Sequence, residues 1–523
     1  MQSPRAGRGR VYFCPHMAAT STTPTTQDVQ AFREVLLADY KLMCVSREAS
    51  LLGRKEVLTG KAKFGIFGDG KEMAQVALSK VVRPGDWRSG YYRDQTFMMA
   101  RGLLTVKQYF AALYAHADVA ADPTSGGRQM GGHFATRTLN EDGSWKDLMA
   151  DFNSSADISP TGSQMPRLVG LAQASKVFRA LPELAAEMSG FTDGGNEIAV
   201  GTIGDASTSE GMFWEAMNAA CVLEVPMLMN VWDDGYGISV PKKFQTVKES
   251  ISTALAGFQR EEATNGLVIY RVKGWDYPSL IATYEEAAAR CREDHVPVLV
   301  HVEEVTQPQG HSTSGSHERY KSPERLAWAA EYDCIRQMGL FLQQEGAATE
   351  EELDALRKEA KKEVRAQQKD AWAAFRAAID EERLSAVDVL APLDAGRADA
   401  LRRNADAGRA EIAKAVRQTL ADTAGEPSAQ RDALSRWLEA FDAQNQQRYN
   451  STLYSDQADS ALRVAAVPPT YDANSEQLDG RLILQRNFEE MFRRDPRVLT
   501  FGGRHRRHRW REPGDGGHAG EVW

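Results

Sequence analysis

The sequence predicts an α/β protein in which a doubly wound parallel sheet is followed by a helical region. Three observations carry this prediction. The runs from Ile198 to Ile203 and from Val225 to Val231 are short, apolar and β-rich, and between them Trp214, Met217 and Cys221 recur at helical intervals. Two strands joined by a helix of about a dozen residues form a parallel, right-handed unit. Residues 266–273 and 298–305 read as two more strands around a helix at 279–293, which extends the same sheet. Residues 325–460 are then dense in Ala, Glu, Arg, Lys and Gln, with Thr349 and Glu352 at capping-box spacing. Leu353, Leu356, Ala360 and Val364 share one face there, and no heptad persists long enough for a coiled coil.

Taken in order, the chain has 523 residues, more than one ordinary core accommodates, so two or more domains are expected. A net charge of −9 argues against a nucleic-acid binder. Cys14, Cys44, Cys221, Cys291 and Cys334 lack CxxC spacing and suggest neither a disulfide framework nor zinc, but core thiols in a reducing compartment. No run of 18 apolar residues occurs, so a soluble protein that neither enters a membrane nor is secreted is expected: cytoplasmic, or in the mitochondrial matrix of a eukaryote. Residues 1–27 hold no acidic residue and read as a disordered tail or transit peptide, or as a misassigned start with Met17 the true one. Phe32, Val35, Leu36, Tyr40, Met43 and Cys44 then mark an amphipathic helix over 28–52.

The informative stretch is EIAVGTIGDASTSEG…DDGYGISVP, residues 197–241. The first strand ends at Gly204, Ser207 and Glu210 have capping-box spacing for the next helix, and Pro226 ends it. In a parallel unit both strands finish on one edge, so Asp205 and the Asp233-Asp234 pair come together although 29 residues separate Asp205 from Asp234. Mg²⁺ takes one or two carboxylates and completes an octahedron with phosphate oxygens and water. Asp205, Asp234 and a nearby main-chain carbonyl match that half-shell. The small residues Gly204, Ala206 and Ser207 let N–H groups at a helix start approach a diphosphate.

GDASTSEG followed by DDGYGISVP resembles the thiamine diphosphate motif, Gly-Asp-Gly and then Asn-Asn about thirty residues later, in the form found in alpha subunits of 2-oxo acid dehydrogenases. The resemblance implies a sheet of the thiamine diphosphate-binding type, with Asp205, Asp234 and the carbonyl of Tyr236 holding Mg²⁺ against the cofactor's diphosphate. Ala206 replaces the last glycine, and Asp233-Asp234 replaces Asn-Asn, adding negative charge that should make the site more dependent on its metal.

Other motifs follow from the same resemblance. Tyr92 and Arg93 in RSGYYRDQ take a diphosphate-contacting role, for which the guanidinium fork is suited. GGRQMGGHF resembles a loop leading to a histidine, which brings His133 toward the substrate side, although a structural histidine is the commoner reading. In DISPTGSQMP, Ser159 and Thr161 belong to a turn that cups the aminopyrimidine ring and in some members holds K⁺; a helix over 168–178 follows. TQPQGHSTSGS resembles the phosphorylation loop of the branched-chain members and places His311 as the catalytic, cofactor-facing imidazole in a mobile loop over 306–324. Gln307 and Trp232 stand where relatives have phosphate-binding arginines.

The resemblance covers residues 28–390 as an alpha-like domain; 391–474 reads as a helical bridge and linker. Residues 475–501 resemble the start of a beta subunit, so the chain looks like an alpha–beta fusion whose beta part breaks off after Phe501. Residues 502–523 read as a frameshifted tail, with a basic RNA-binding tail as the rival reading. The implied activity is oxidative decarboxylation of a branched-chain 2-oxo acid, 3-methyl-2-oxobutanoate, with acyl transfer to a lipoyl-bearing acyltransferase. It needs a beta subunit in trans, within a homo- or hetero-oligomer. A pyruvate or acetoin dehydrogenase component, or a truncated remnant that binds cofactor without catalysis, are the alternatives.

Overall fold

The computed structural model describes residues 26–451, 455, 460–495 and 497–498. The expectations for residues 1–25 and 502–523, and for Cys14, lie outside the described residues. A single six-stranded sheet organises the first two thirds of the chain, with every strand parallel to its neighbours. Its strands are β1 (Trp87–Ser89), β2 (Asn153–Ser154), β3 (Ala199–Gly204), β4 (Met227–Trp232), β7 (Val268–Lys273) and β8 (Val298–Glu303), in the order β2-β1-β3-β4-β8-β7. A two-residue hairpin, β5 (Tyr236–Gly237) with β6 (Val240–Pro241), stands apart.

The strands are apolar on both sides because both faces are covered. Val200, Leu228, Val298 and Val300 face a core built with the helices Thr26–Leu58 and Tyr277–Asp294. The alternate residues Ala199, Ile203, Met229, Val231 and Leu299 face the helices Gln164–Ala180 and Gly211–Leu223. Gly201 allows that second layer to close, since a Cβ there would lie 2.2 Å from Leu168 Cδ2. The doubly wound sheet is thus borne out, and so are the opening helix and the helix at 279–293. Their ends differ by a few residues, where local signals are weakest.

One local expectation fails. Ser207 does not cap the helix after β3: Ala206–Ser209 form a 3₁₀ turn, and the helix begins at Gly211 with Glu210 as its N-cap and no side-chain cap bond. That helix ends before Pro226, at Glu224 in the left-handed region (φ 50°). The Thr349–Glu352 capping box, by contrast, forms at the head of the 41-residue helix Glu350–Leu390, burying Leu353, Ala360 and Val364. The far end of that helix joins a separate apolar cluster around Leu401, Ile412, Val416, Leu434 and Phe441. The helix Gly480–Arg494 buries none of its residues. Cys44, Cys221, Cys291 and Cys334 are buried free thiols, and no helix among the described residues is long and apolar enough to cross a membrane.

Candidate functional site

The carboxyl ends of the strands collect the motifs that the sequence singles out. Tyr92 and Arg93 follow β1, Asp205 follows β3, Asp233 and Asp234 follow β4, and His311 follows β8. The chain turns back at β1, leaving toward β2 and returning on the other side to β3, and such a reversal is where doubly wound sheets bind ligands.

Asp205 is the centre of this edge. Its N–H donates to Trp232 O (3.3 Å), tying β3 to β4 at the last register position. It is 5% exposed, and its Oδ2 is buried with no hydrogen-bond partner. Burial, and then the Asp234 and Asp233 carboxylates facing it, push the Asp205 carboxyl well above its usual range. An unpartnered buried carboxylate oxygen beside two more carboxylates is a costly arrangement without a cation.

The two following carboxylates are disposed differently. Asp233 is turned into the protein, where Lys242 Nζ (2.7 Å) and His301 Nε2 (2.9 Å) hold it and keep its pKa down at about 2 against the opposing effect of burial. It therefore adds less uncompensated charge than the sequence suggests. Asp234 faces the site. Its Oδ1 accepts from Tyr236 N (3.1 Å), its Oδ2 lies 3.2 Å from Lys71 Nζ, and its carbonyl accepts from Arg325 Nη2 (2.9 Å). The hairpin carrying Tyr236 packs on the turn after β3, since a Cβ on Gly237 would lie 2.7 Å from Ala206 Cβ. Gly204, Asp205, Ala206, Ser207, Asp234 and Tyr236 are thereby brought together.

Arg93 braces the site. Its Nη1 donates to Phe67 O (2.5 Å) and its Nη2 to His311 O (3.0 Å), and the guanidinium lies 5.2 Å from the Tyr92 ring centroid. The expected mobile loop is pinned at several points: Arg54 donates to Gln309 O (3.0 Å) and Ser312 O (3.1 Å), and Gln309 N donates to Asp69 Oδ2 (2.9 Å). Burial and the neighbouring Arg93 push the His311 imidazole down to about 4, so it is neutral at physiological pH. Lys321 is likewise pushed down to about 8 by burial, with its ammonium 5.1 Å from the Tyr236 ring centroid.

Ser159 and Thr161 are exposed on their turn, which reaches the same edge: a Cβ on Gly162 would lie 3.2 Å from Glu210 Cβ at the helix start after β3. His133 Nε2 lies 3.0 Å from Ser159 Oγ, joining the two motifs. Trp232 is fully buried, with its indole N–H directed at Asp94 Oδ1 (3.3 Å), so it forms part of the floor.

Sequence reasoning missed Lys71, Lys242, His301, Lys321 and Arg325. Only the Lys71 position, within Gly-Asp-Gly-Lys-Glu at 68–72, carries any local signal, a glycine-rich turn before a helix.

Fold and site together define a doubly wound α/β protein with an acidic, cation-lined site at its strand ends. The family model for the dehydrogenase E1 component matches residues 40–379, and the chain belongs to that family, which makes it an enzyme. Among curated proteins it is 28% identical over 317 residues to the 2-oxoisovalerate dehydrogenase subunit alpha of Bacillus subtilis, covering 60% of this chain and 83% of that protein. It is 29% identical over 332 residues to the 3-methyl-2-oxobutanoate dehydrogenase subunit alpha of Mycobacterium tuberculosis, covering 62% and 76%. It is 25% identical over 338 residues to the pyruvate dehydrogenase E1 component subunit alpha of Acholeplasma laidlawii, covering 64% and 82%.

The family implies thiamine diphosphate, and the residues present fit it. Asp205 Oδ2, Asp233 Oδ1 and Thr306 Oγ1 are buried polar atoms with no hydrogen-bond partner. No three His, Cys, Asp or Glu side chains gather as a metal cluster among the described residues. A divalent cation here would take two carboxylates and complete its shell with main-chain, phosphate or water oxygens, as Mg²⁺ commonly does.

Proposed function

We propose that the chain is the alpha-type half of a thiamine diphosphate-dependent 2-oxo acid dehydrogenase acting on the branched-chain acid 3-methyl-2-oxobutanoate. In this reading it works with a beta subunit supplied in trans and passes the acyl group to a lipoyl carrier. Residues 28–390 form the alpha-like unit, 391–474 the bridge, and 475–501 the start of a beta-like unit. The observation that carries the reading is the unpartnered Asp205 carboxylate facing Asp234 at the ends of two adjacent parallel strands.

The bound cofactor supplies the electron sink that decarboxylation requires. The chain's own residues do the rest. Asp205, Asp234 and the Tyr236 carbonyl would hold Mg²⁺. Gly204, Ala206 and Ser207 would leave room for the diphosphate, and Tyr92 with Arg93 would contact it. Arg93 has five N–H donors, so those not directed at Phe67 and His311 remain for phosphate oxygens. Ser159 and Thr161 would hold the aminopyrimidine ring, and K⁺ would bind at the same turn. His311, held neutral, would be able to accept or relay a proton. Two relatives named for branched-chain acids support that substrate, and the Acholeplasma relative supports pyruvate as the second reading.

Calorimetric titration of the chain with thiamine diphosphate, with and without Mg²⁺, tests the site. Asp205→Ala is expected to abolish the Mg²⁺-dependent component, and unchanged affinity would remove the metal assignment. Mixing with a related beta subunit and assaying 3-methyl-2-oxobutanoate against pyruvate then names the substrate.

A further inference from the structure

Lys71 is a buried cation that no motif announces. Its side chain is 1% exposed, and its ammonium is ringed by three oxygens: Gln307 Oε1 at 2.6 Å, Thr306 O at 3.1 Å and Asp234 Oδ2 at 3.2 Å. A lysine ammonium has three donors, so all of them are directed. Only one of the three partners is charged.

The backbone around Lys71 is built to hold it there. Gly70 has φ +89°, and a Cβ at that position would lie 2.1 Å from Thr306 O, so only glycine lets the two segments meet. Thr306 N donates to Gly70 O (3.4 Å), and Gly70 N donates to Glu72 Oε2 (2.7 Å). Glu72 is held in turn by Arg47 Nε at 2.7 Å. A long, flexible side chain is thus delivered dehydrated to one spot, which a lysine serving only solubility does not need.

The charges at this edge show what the spot is for. Asp233 Oδ2 has its own cationic and imidazole partners, Lys242 and His301, whereas Asp205 Oδ2, like Asp233 Oδ1, is buried with none. Lys71 lies between the Asp234 carboxylate and the segment leading to His311, next to the orphaned Thr306 Oγ1. We infer that Lys71 is a fixed positioning and binding cation for the diphosphate end of the cofactor, holding Asp234 toward the metal and offering positive charge to the phosphates. The inference rests on the thiamine diphosphate reading given above. A rival role is that Lys71 occupies the metal's own position and must be displaced by it.

The full chain and its Lys71→Met and Lys71→Arg variants are titrated by calorimetry with thiamine diphosphate at saturating Mg²⁺, with inorganic pyrophosphate as competitor. Lys71→Met is expected to weaken both ligands about tenfold or more, and Lys71→Arg by no more than about threefold, since the positive charge near the phosphates and the hold on Asp234 are lost in one and kept in the other. Lys71→Met binding as well as, or better than, the unaltered chain would overturn the inference and favour displacement. No binding by the unaltered chain would instead overturn the thiamine diphosphate reading itself. Circular dichroism melts establish that the variants fold; if Lys71→Met does not, Lys71→Gln, which keeps a donor toward Gln307 without the charge, takes its place under the same criteria.

Discussion

His133 and Ser159, 26 residues apart, share a hydrogen bond in which Ser159 Oγ lies 3.0 Å from His133 Nε2. The other ring nitrogen, Nδ1, is 3.0 Å from Met130 O, which only accepts. Nδ1 therefore carries the proton, and Nε2 accepts from the serine. With both nitrogens engaged inside the chain, His133 is a strut between the glycine-rich loop and the turn at Ser159. His133→Ala is expected to cost about 1–2 kcal/mol in urea unfolding as those bonds are lost, and to weaken cofactor binding through the turn.

The unpartnered Asp205 carboxylate is a stability cost that a ligand would relieve. Its carboxyl is raised in the folded state, so it opposes folding above the unfolded carboxylate range, and the opposition fades as pH falls and the group protonates. Asp205→Asn should stabilise the ligand-free chain at pH 7 by on the order of 1 kcal/mol while abolishing Mg²⁺-dependent cofactor binding. Denaturant melts at pH 5 and pH 8 should show a larger gain at the higher pH.

Arg88 anchors the floor of the site. Its Nη2 lies 2.6 Å from Asp94 Oδ2 and 3.0 Å from Asp157 Oδ2, with all three side chains at most 1% exposed. Thr202 and Trp232 also donate to Asp94. Removing the cation would leave two carboxylates buried and unpaired, so Arg88→Met should destabilise the fold by about 3–5 kcal/mol in equilibrium unfolding.

His295 makes acid stability measurable. It ends the helix Tyr277–Asp294 at φ 53° and lies with Nε2 2.7 Å from Gly195 O. Burial and then Arg179 push it down to about 4 from its ordinary value of 6.5. The unfolded chain binds this proton more readily, so stability is lost as pH falls through the window from about 6.5 to about 4. His295→Asn, which tolerates the left-handed conformation, should flatten that part of the melting-temperature profile.

Arg128 links the helical region to the glycine-rich loop. Its Nη2 donates to Arg448 O (2.8 Å) and Ser451 O (2.9 Å), capping the end of the helix Ala429–Asn450. Arg128→Ala should lower hydrogen-exchange protection in the last turns of that helix by about 1 kcal/mol, with the sheet unaffected.

The sequence by itself determined the layered α/β architecture and the edge at which Asp205, Asp234 and His311 gather. Strand and helix periods are local, and parallel connections oblige successive strands to end on one side. It did not determine the false capping box at Ser207, because the tight 3₁₀ turn at Ala206–Ser209 takes the helix start past it. Nor did it reveal which charges meet. Lys71 reaches Asp234 across 163 residues and Arg325 reaches it across 91. The separation of Asp233 as a buried structural anion from Asp234 as a site-facing one exists only once β8 brings His301 alongside β4. Charge pairing depends on distance and dehydration in three dimensions, and neither has a period along the chain.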